Sequence, residues 1–234
     1  MFEGKKTTKK QKRTRLFITA VIISSMFVVR LILIQNGVIT TAQDLTDEEL
    51  VTRISPWEVQ ITTPSGTGRG TVILVFTGKK SASDTVYLIS TADVVRDFDK
   101  SSTVTFSDGK AYSGEQGNLD EESNIGIVSV SAEDNRTDSA YSEDIFYQKE
   151  AGTELVWLSD DGALQKGTFT SRNAEVSGYD KAVLTAEGSM EGTSEGAGLY
   201  DTTGNYIGTL ITEKNGTLIA VPADQVYSYF KVNH

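Results

Sequence analysis

Residues 16–34 (LFITAVIISSMFVVRLILI) form an apolar run broken by a single charge, Arg30, and beyond it the hydrophobic pattern changes period. A run of this length approaches the roughly 20 residues an α-helix needs to cross a bilayer core. It predicts one transmembrane helix, with a tail at 1–15 before it and a linker at 35–53 after it. A buried core helix is a poor reading, because the run has no polar face. Within the linker, 43–53 is acidic and predicts a short helix or an extended connection. From Pro56 onward the apolar residues fall in short β-type runs, predicting strands at 58–62, 71–76, 85–90, 103–106, 125–130, 154–158, 167–171, 181–185, 198–200, 206–212 and 217–221. Turn signals separate them at Ser107-Asp108-Gly109, Asp160-Asp161-Gly162, Thr203-Gly204-Asn205 and Asn215-Gly216. Many short strands at this spacing predict an all-β sandwich or barrel. The stretch 131–144 (SAEDNRTDSAYSED) is polar and aperiodic and reads as a surface linker between β halves at 54–130 and 145–222. Val226, Tyr229 and Phe230 then predict a closing helix at 223–232, capped near Ala223-Asp224.

Charge orients this arrangement. Residues 1–36 carry eight basic side chains against one acid, a local +7, so with −10 overall the remainder holds −17. A basic flank stays in the cytoplasm, which predicts a single-pass cell-membrane protein with its C-terminal domain extracytoplasmic. Arg30, about one turn from the outer end, would snorkel to the interface. The alternative is secretion, with Thr40 and Ala42 as the small residues before a cut ahead of Gln43. The acidic body repels phosphate backbones and contains no basic stripe, which argues against a nucleic-acid partner. The chain has no cysteine, which excludes disulfides, thiolate metal sites and redox pairs. No P-loop, dinucleotide fingerprint or zinc spacing is present, so no cofactor is expected. Trp57 and Trp157 read as core. The single histidine is His234 at the C-terminus, which excludes Ser-His-Asp and Cys-His nucleophilic chemistry.

Several strings, in order, point further. Gly68-Arg69-Gly70-Thr71-Val72-Ile73 opens one predicted strand. Tyr87-Leu88-Ile89-Ser90-Thr91-Ala92-Asp93-Val94-Val95 follows, then a hairpin at 103–110 and Asn124-Ile125-Gly126-Ile127-Val128. Later come Glu195-Gly196-Ala197-Gly198-Leu199-Tyr200-Asp201 with 204–208, and Ala220-Val221-Pro222-Ala223-Asp224. Over about 54–232 the chain resembles the trypsin-like serine proteases, particularly their HtrA (DegP-like) branch. The resemblance implies two six-stranded β-barrels and a C-terminal helix.

The departures fall where chemistry would be. The family's catalytic His corresponds to Asp93, its Asp to Asn124 and its nucleophilic Ser to Glu195, so the resemblance implies a pseudoprotease. An Asp has a reference pKa of about 4, too weak a base to deprotonate a hydroxyl at neutral pH. Glu195 puts a carboxylate where an oxyanion would have to develop. A one-residue shift would make Ser194 the nucleophile, but without a base. A Ser-Lys dyad is the best surviving catalytic route, and no lysine lies near the three matched positions in sequence.

Three roles fit the altered cleft: a degenerate hydrogen-bonded site, a Ca²⁺ site that three ligands alone would leave incomplete, or an acid dyad. Two close carboxylates also predict a raised pKa for one of them or a cation between them, and Asn124 is expected to donate its amide to Asp93. The expected function is a tethered, non-catalytic module that binds a protein or peptide. The alternatives are a divergent endopeptidase using Ser194 with a non-histidine base, and a structural surface protein in which only the tether matters.

Overall fold

The computed structural model describes residues 44–77, 84–132, 139–140 and 150–233. The predicted transmembrane helix at 16–34, most of the linker at 131–144 and His234 lie outside the described residues. Among the described residues, no helix is long and apolar enough to cross a membrane.

From Asp44 the chain is already part of the packed domain, about ten residues before the expected boundary at 54. Leu45 N–H donates to Thr202 O at 2.8 Å. Helix α1 (Asp47–Ile54) starts in a capping box: Glu49 N–H donates to Thr46 Oγ1 at 3.3 Å, and Thr46 N–H to Glu49 Oε2 at 2.8 Å. Eight residues do not make a stable helix in water. Burial of Leu50 and Ile54 holds it, each worth about 1.5–3 kcal/mol.

The first β half is a seven-stranded sheet. Its strands are β1 (Glu58–Thr63), β2 (Gly66–Thr77), β3 (Asp84–Ser90), β4 (Thr103–Phe106), β5 (Ala111–Tyr112), β6 (Gly114–Asp120) and β7 (Ile125–Ala132). Their order is β5-β4-β1-β2-β3-β7-β6. The expected six strands become seven because one strand bends. β5 and β6 are separated by Ser113 alone, so the two edges of the sheet meet at that residue. β2 begins five residues before the predicted 71–76 and forms a hairpin with β1, pairing Thr63 with Gly66. Gly68 lies in this extension because a Cβ there would collide with the Val94 methyl groups. Within the expected linker, Ala140 is buried and its N–H donates to Val72 O at 2.8 Å.

The second half is a closed barrel of β8 (Glu154–Leu158), β9 (Leu164–Ala174), β10 (Val183–Glu187), β11 (Gly198–Asp201), β12 (Tyr206–Lys214) and β13 (Thr217–Pro222). The order around it is β10-β13-β12-β11-β8-β9. Leu155, Trp157, Phe169, Leu184, Leu199 and Leu218 form its core. Trp57 packs in the larger core with the first sheet, so both tryptophans are buried as expected. β10 starts two residues later than the predicted 181–185, because Lys181 is drawn away to the first half. Helix α2 (Ala92–Val95) joins β3 to β4, and helix α3 (Ala223–Asn233) closes the chain. α3 buries Val226, Tyr227 and Phe230, with the Phe230 ring edge-on to Tyr87 at 5.7 Å.

Candidate functional site

The three matched positions come from elements far apart in sequence, and each is fixed by its own local structure. Thr91 caps the short helix α2, its hydroxyl accepting Val94 N–H at 3.4 Å. At the other end Gln116 Nε2 donates to Val95 O at 2.7 Å and Arg96 O at 3.0 Å. These contacts set Asp93 in the first turn, where its carboxylate pairs with Arg96 Nη2 at 2.9 Å. Arg96 also reaches Glu121 at 3.5 Å.

Asn124 closes the turn between β6 and β7 with φ 50°, a left-handed conformation that asparagine tolerates better than most side chains. Glu195 precedes β11. Its carbonyl accepts Arg69 N–H at 2.8 Å, and Gly196 N–H donates to Leu210 O at 2.9 Å. Gly196 has φ 91°, and a Cβ there would collide with Arg69 O, so the chain after Glu195 requires glycine.

Asp93, Asn124 and Glu195 line one cleft of about 540 Å³. Asp93 N–H donates to Asn124 Oδ1 at 3.3 Å, and Asn124 Nδ2 donates to Glu195 Oε1 at 3.5 Å. The expectation that Asn124 would donate to the Asp93 carboxylate is therefore corrected. Its carbonyl faces the Asp93 backbone, which leaves its amide nitrogen for Glu195. The Glu195 carboxyl is raised above the ordinary glutamate range, first by burial and then by the charge of Asp93, against hydrogen bonds from Thr91 and Asn124. Tyr179, also in the cleft, is raised by burial and by the charges of Glu195 and Asp93. Among the described residues, no group of three or more His, Cys, Asp or Glu side chains is placed to hold a metal ion.

No protein-family model and no curated protein sequence matches the chain. Solved structures do. The HtrA-type protease AlgW, a serine-to-alanine variant with a tripeptide, superposes with a TM-score of 0.65 at 16% identity, over 80% of this chain and 63% of that one. Rv3671c from M. tuberculosis H37Rv, a serine-to-alanine mutant in its inactive form, gives 0.59 at 16% identity, over 79% of this chain and 89% of that one. The fold is trypsin-like.

Proteolysis on a trypsin-like fold requires a hydroxyl, a base in contact with it, and amide donors for the oxyanion from the nucleophile and the residue two before it. Two residues before Glu195, which the resemblance sets at the nucleophile's position, Thr193 N–H donates to Met190 O at 2.8 Å. Ser194 does not join the cleft cluster. Its Oγ donates to Asp160 Oδ2 at 2.6 Å and its N–H to Asp160 Oδ1 at 3.0 Å.

A lysine does lie, in space, beside the turn that carries Asn124. Lys181, 57 residues from Asn124 in sequence, is folded onto its neighbour Ser123: Nζ contacts Ser123 Oγ and reaches Asp120 Oδ2 at 3.1 Å. Ser123 Oγ in turn donates to Asp120 Oδ2 at 2.7 Å. Burial opposes ionisation of Asp120, but the bonds from Ser123 and Lys181 prevail and hold its carboxyl below the usual range. The Ser123 hydroxyl proton is thereby directed to Asp120 Oδ2 and not to the lysine, whereas a Ser-Lys dyad needs the amine to take it. No motif could have announced this contact, because its three members come from a strand end, a turn and a loop in different β halves.

Proposed function

We propose that this chain is a membrane-anchored, extracytoplasmic trypsin-like domain that lacks a proteolytic triad and uses its cleft to hold a protein or peptide partner. The observation that carries the reading is the hydrogen-bonded row Asp93, Asn124, Glu195 in one cleft, with no imidazole among its described lining residues. At these positions a carboxylate replaces the base and another replaces the nucleophile. The Thr193 amide, engaged with Met190, adds to the case against oxyanion stabilisation. The run at 16–34 with its basic flank supports the anchor and the orientation.

A binding role has its own support. Among the described residues, β12 beyond Leu210 pairs only with β13, and Ile211, Thr212 and Lys214 border the cleft. An extended peptide can add to such an edge through main-chain hydrogen bonds without being cleaved.

A second reading rests on the Ser194–Asp160 contact: a divergent endopeptidase with Ser194 as nucleophile and a non-histidine base. A carboxylate is too weak a base for that task at neutral pH. Serine-directed fluorophosphonate labelling separates the readings. We expect no labelling and no cleavage of unfolded casein. Labelling abolished by Ser194→Ala would establish the enzyme instead. A structural role for the tether alone is separated by photo-crosslinking from position 93 in intact cells. A discrete adduct supports the binding module, and its absence supports the structural protein.

A further inference from the structure

The cleft has an uneven charge balance and an apolar wall, and together they suit one kind of side chain. Five acids and two bases line it, a net of −3. Arg96 is committed to Asp93 and Glu121, which leaves Glu122, Asp180 and Glu195 facing Lys214 alone among the lining cations. Among the described residues no lysine or arginine forms an ion pair with Glu195, although burial raises its carboxyl above the ordinary glutamate range. Val176, Ile211 and Ile219 supply apolar surface in the same cleft.

Building on the binding function above, we propose that the cleft selects a partner segment carrying a lysine or arginine, with its aliphatic stem along Val176, Ile211 and Ile219 and its charged head on Glu195. Long basic side chains combine these two needs, since the stem buries on apolar surface while the head seeks an anion. A cation arriving at Glu195 offsets by its charge the two effects that disfavour ionisation there, burial and the charge of Asp93. An acidic or neutral side chain in the same place would leave the half-buried carboxylate uncompensated. The carboxylate that obstructs an oxyanion thus becomes the selectivity element of the cleft.

The test uses the purified full chain and three fluorescent strand-length peptides, acetyl-Thr-Val-Thr-X-Thr-Val-amide, with X as lysine, norleucine or glutamate, read by anisotropy at neutral pH and low salt. The lysine peptide is expected to bind about tenfold tighter than the norleucine peptide, the range of a charge-assisted contact in a partly desolvated site. The glutamate peptide should bind weakest. Glu195→Gln should abolish the preference, so that this variant binds the lysine and norleucine peptides within about twofold of each other. The wild-type series decides alone if that variant does not fold. Equal affinities for lysine and norleucine would overturn this inference and leave the binding function standing. No binding by any of the three would overturn both.

Discussion

Glu58 on β1 and Glu195 ahead of β11 both lie where the two β halves meet, and the fold treats them in opposite ways. Glu58 is almost completely buried and accepts bonds from Arg69 Nη2 at 3.0 Å, Thr71 Oγ1 at 3.1 Å, Gly198 N–H at 3.2 Å and Tyr200 OH at 2.5 Å. Its cation is secured as well, because Arg69 Nη1 donates to Ser159 O at 3.0 Å. Tyr200 is pushed well above the ordinary tyrosine range by burial and by Glu58, so it remains a neutral donor. Glu195 has only Thr91 and a long bond from Asn124, with no cation among the described residues. A saturated buried carboxylate holds the halves together. An undersaturated one at a cleft leaves interaction energy available to a ligand.

The largest expected effect tests the saturated side. Arg69→Met should cost about 3–5 kcal/mol in urea unfolding, because it leaves Glu58 buried without its cation. Adding Glu58→Met should recover much of that loss, since a matched apolar pair strands no charge. A loss under about 1 kcal/mol would place Glu58 in the same class as Glu195. Next in size, Asn124→Ala should cost about 1–2 kcal/mol, from left-handed backbone at φ 50° and two lost hydrogen bonds. Asn124→Gly, which relieves the backbone strain, should cost less and isolate the hydrogen-bond share.

Lys181→Met addresses a third contact between the halves, one that is partly open to solvent and therefore weak. It should lower stability by no more than about 1 kcal/mol. Amide exchange should nonetheless quicken across 175–182, the loop that lines the cleft. Unchanged exchange there would show that Lys181 does not position the cleft wall.

The smallest effect should have the opposite sign. The Glu195 carboxyl is raised in the folded protein, so its protonated form favours folding, and that contribution is lost as pH rises through the folded value. Glu195→Gln should therefore be slightly more stable than wild type at neutral pH. The advantage should vanish as pH falls below the ordinary glutamate range, where both side chains are neutral in both states. A variant less stable than wild type at neutral pH would mean that Glu195, like Glu58, serves the fold.

Much of this architecture was readable from pattern. The predicted strands at 103–106 and 154–158 coincide with β4 and β8, because flanking turns bound an alternating run in the first and a continuous apolar run in the second. The meeting of Asp93, Asn124 and Glu195 was readable only through the resemblance, since they lie on a helix turn, a β-turn and a loop. β5 and β6 were not readable. GEQGNLD has two glycines and no apolar alternation, and pairing with β7 makes it a strand. The Ser194–Asp160 and Lys181–Ser123 contacts were hidden for a different reason. Single polar residues in loops carry no periodic signal, and tertiary structure alone brings them together.

The claim that the cleft holds a partner without cutting it is tested most directly by mass spectrometry of a bound peptide. The lysine-containing strand peptide is incubated with the full chain at a concentration where anisotropy shows it bound, and both are then weighed intact. The account predicts full recovery of uncleaved peptide and no covalent adduct on the protein. Cleavage, or an acyl adduct on Ser194 that disappears in Ser194→Ala, would contradict it.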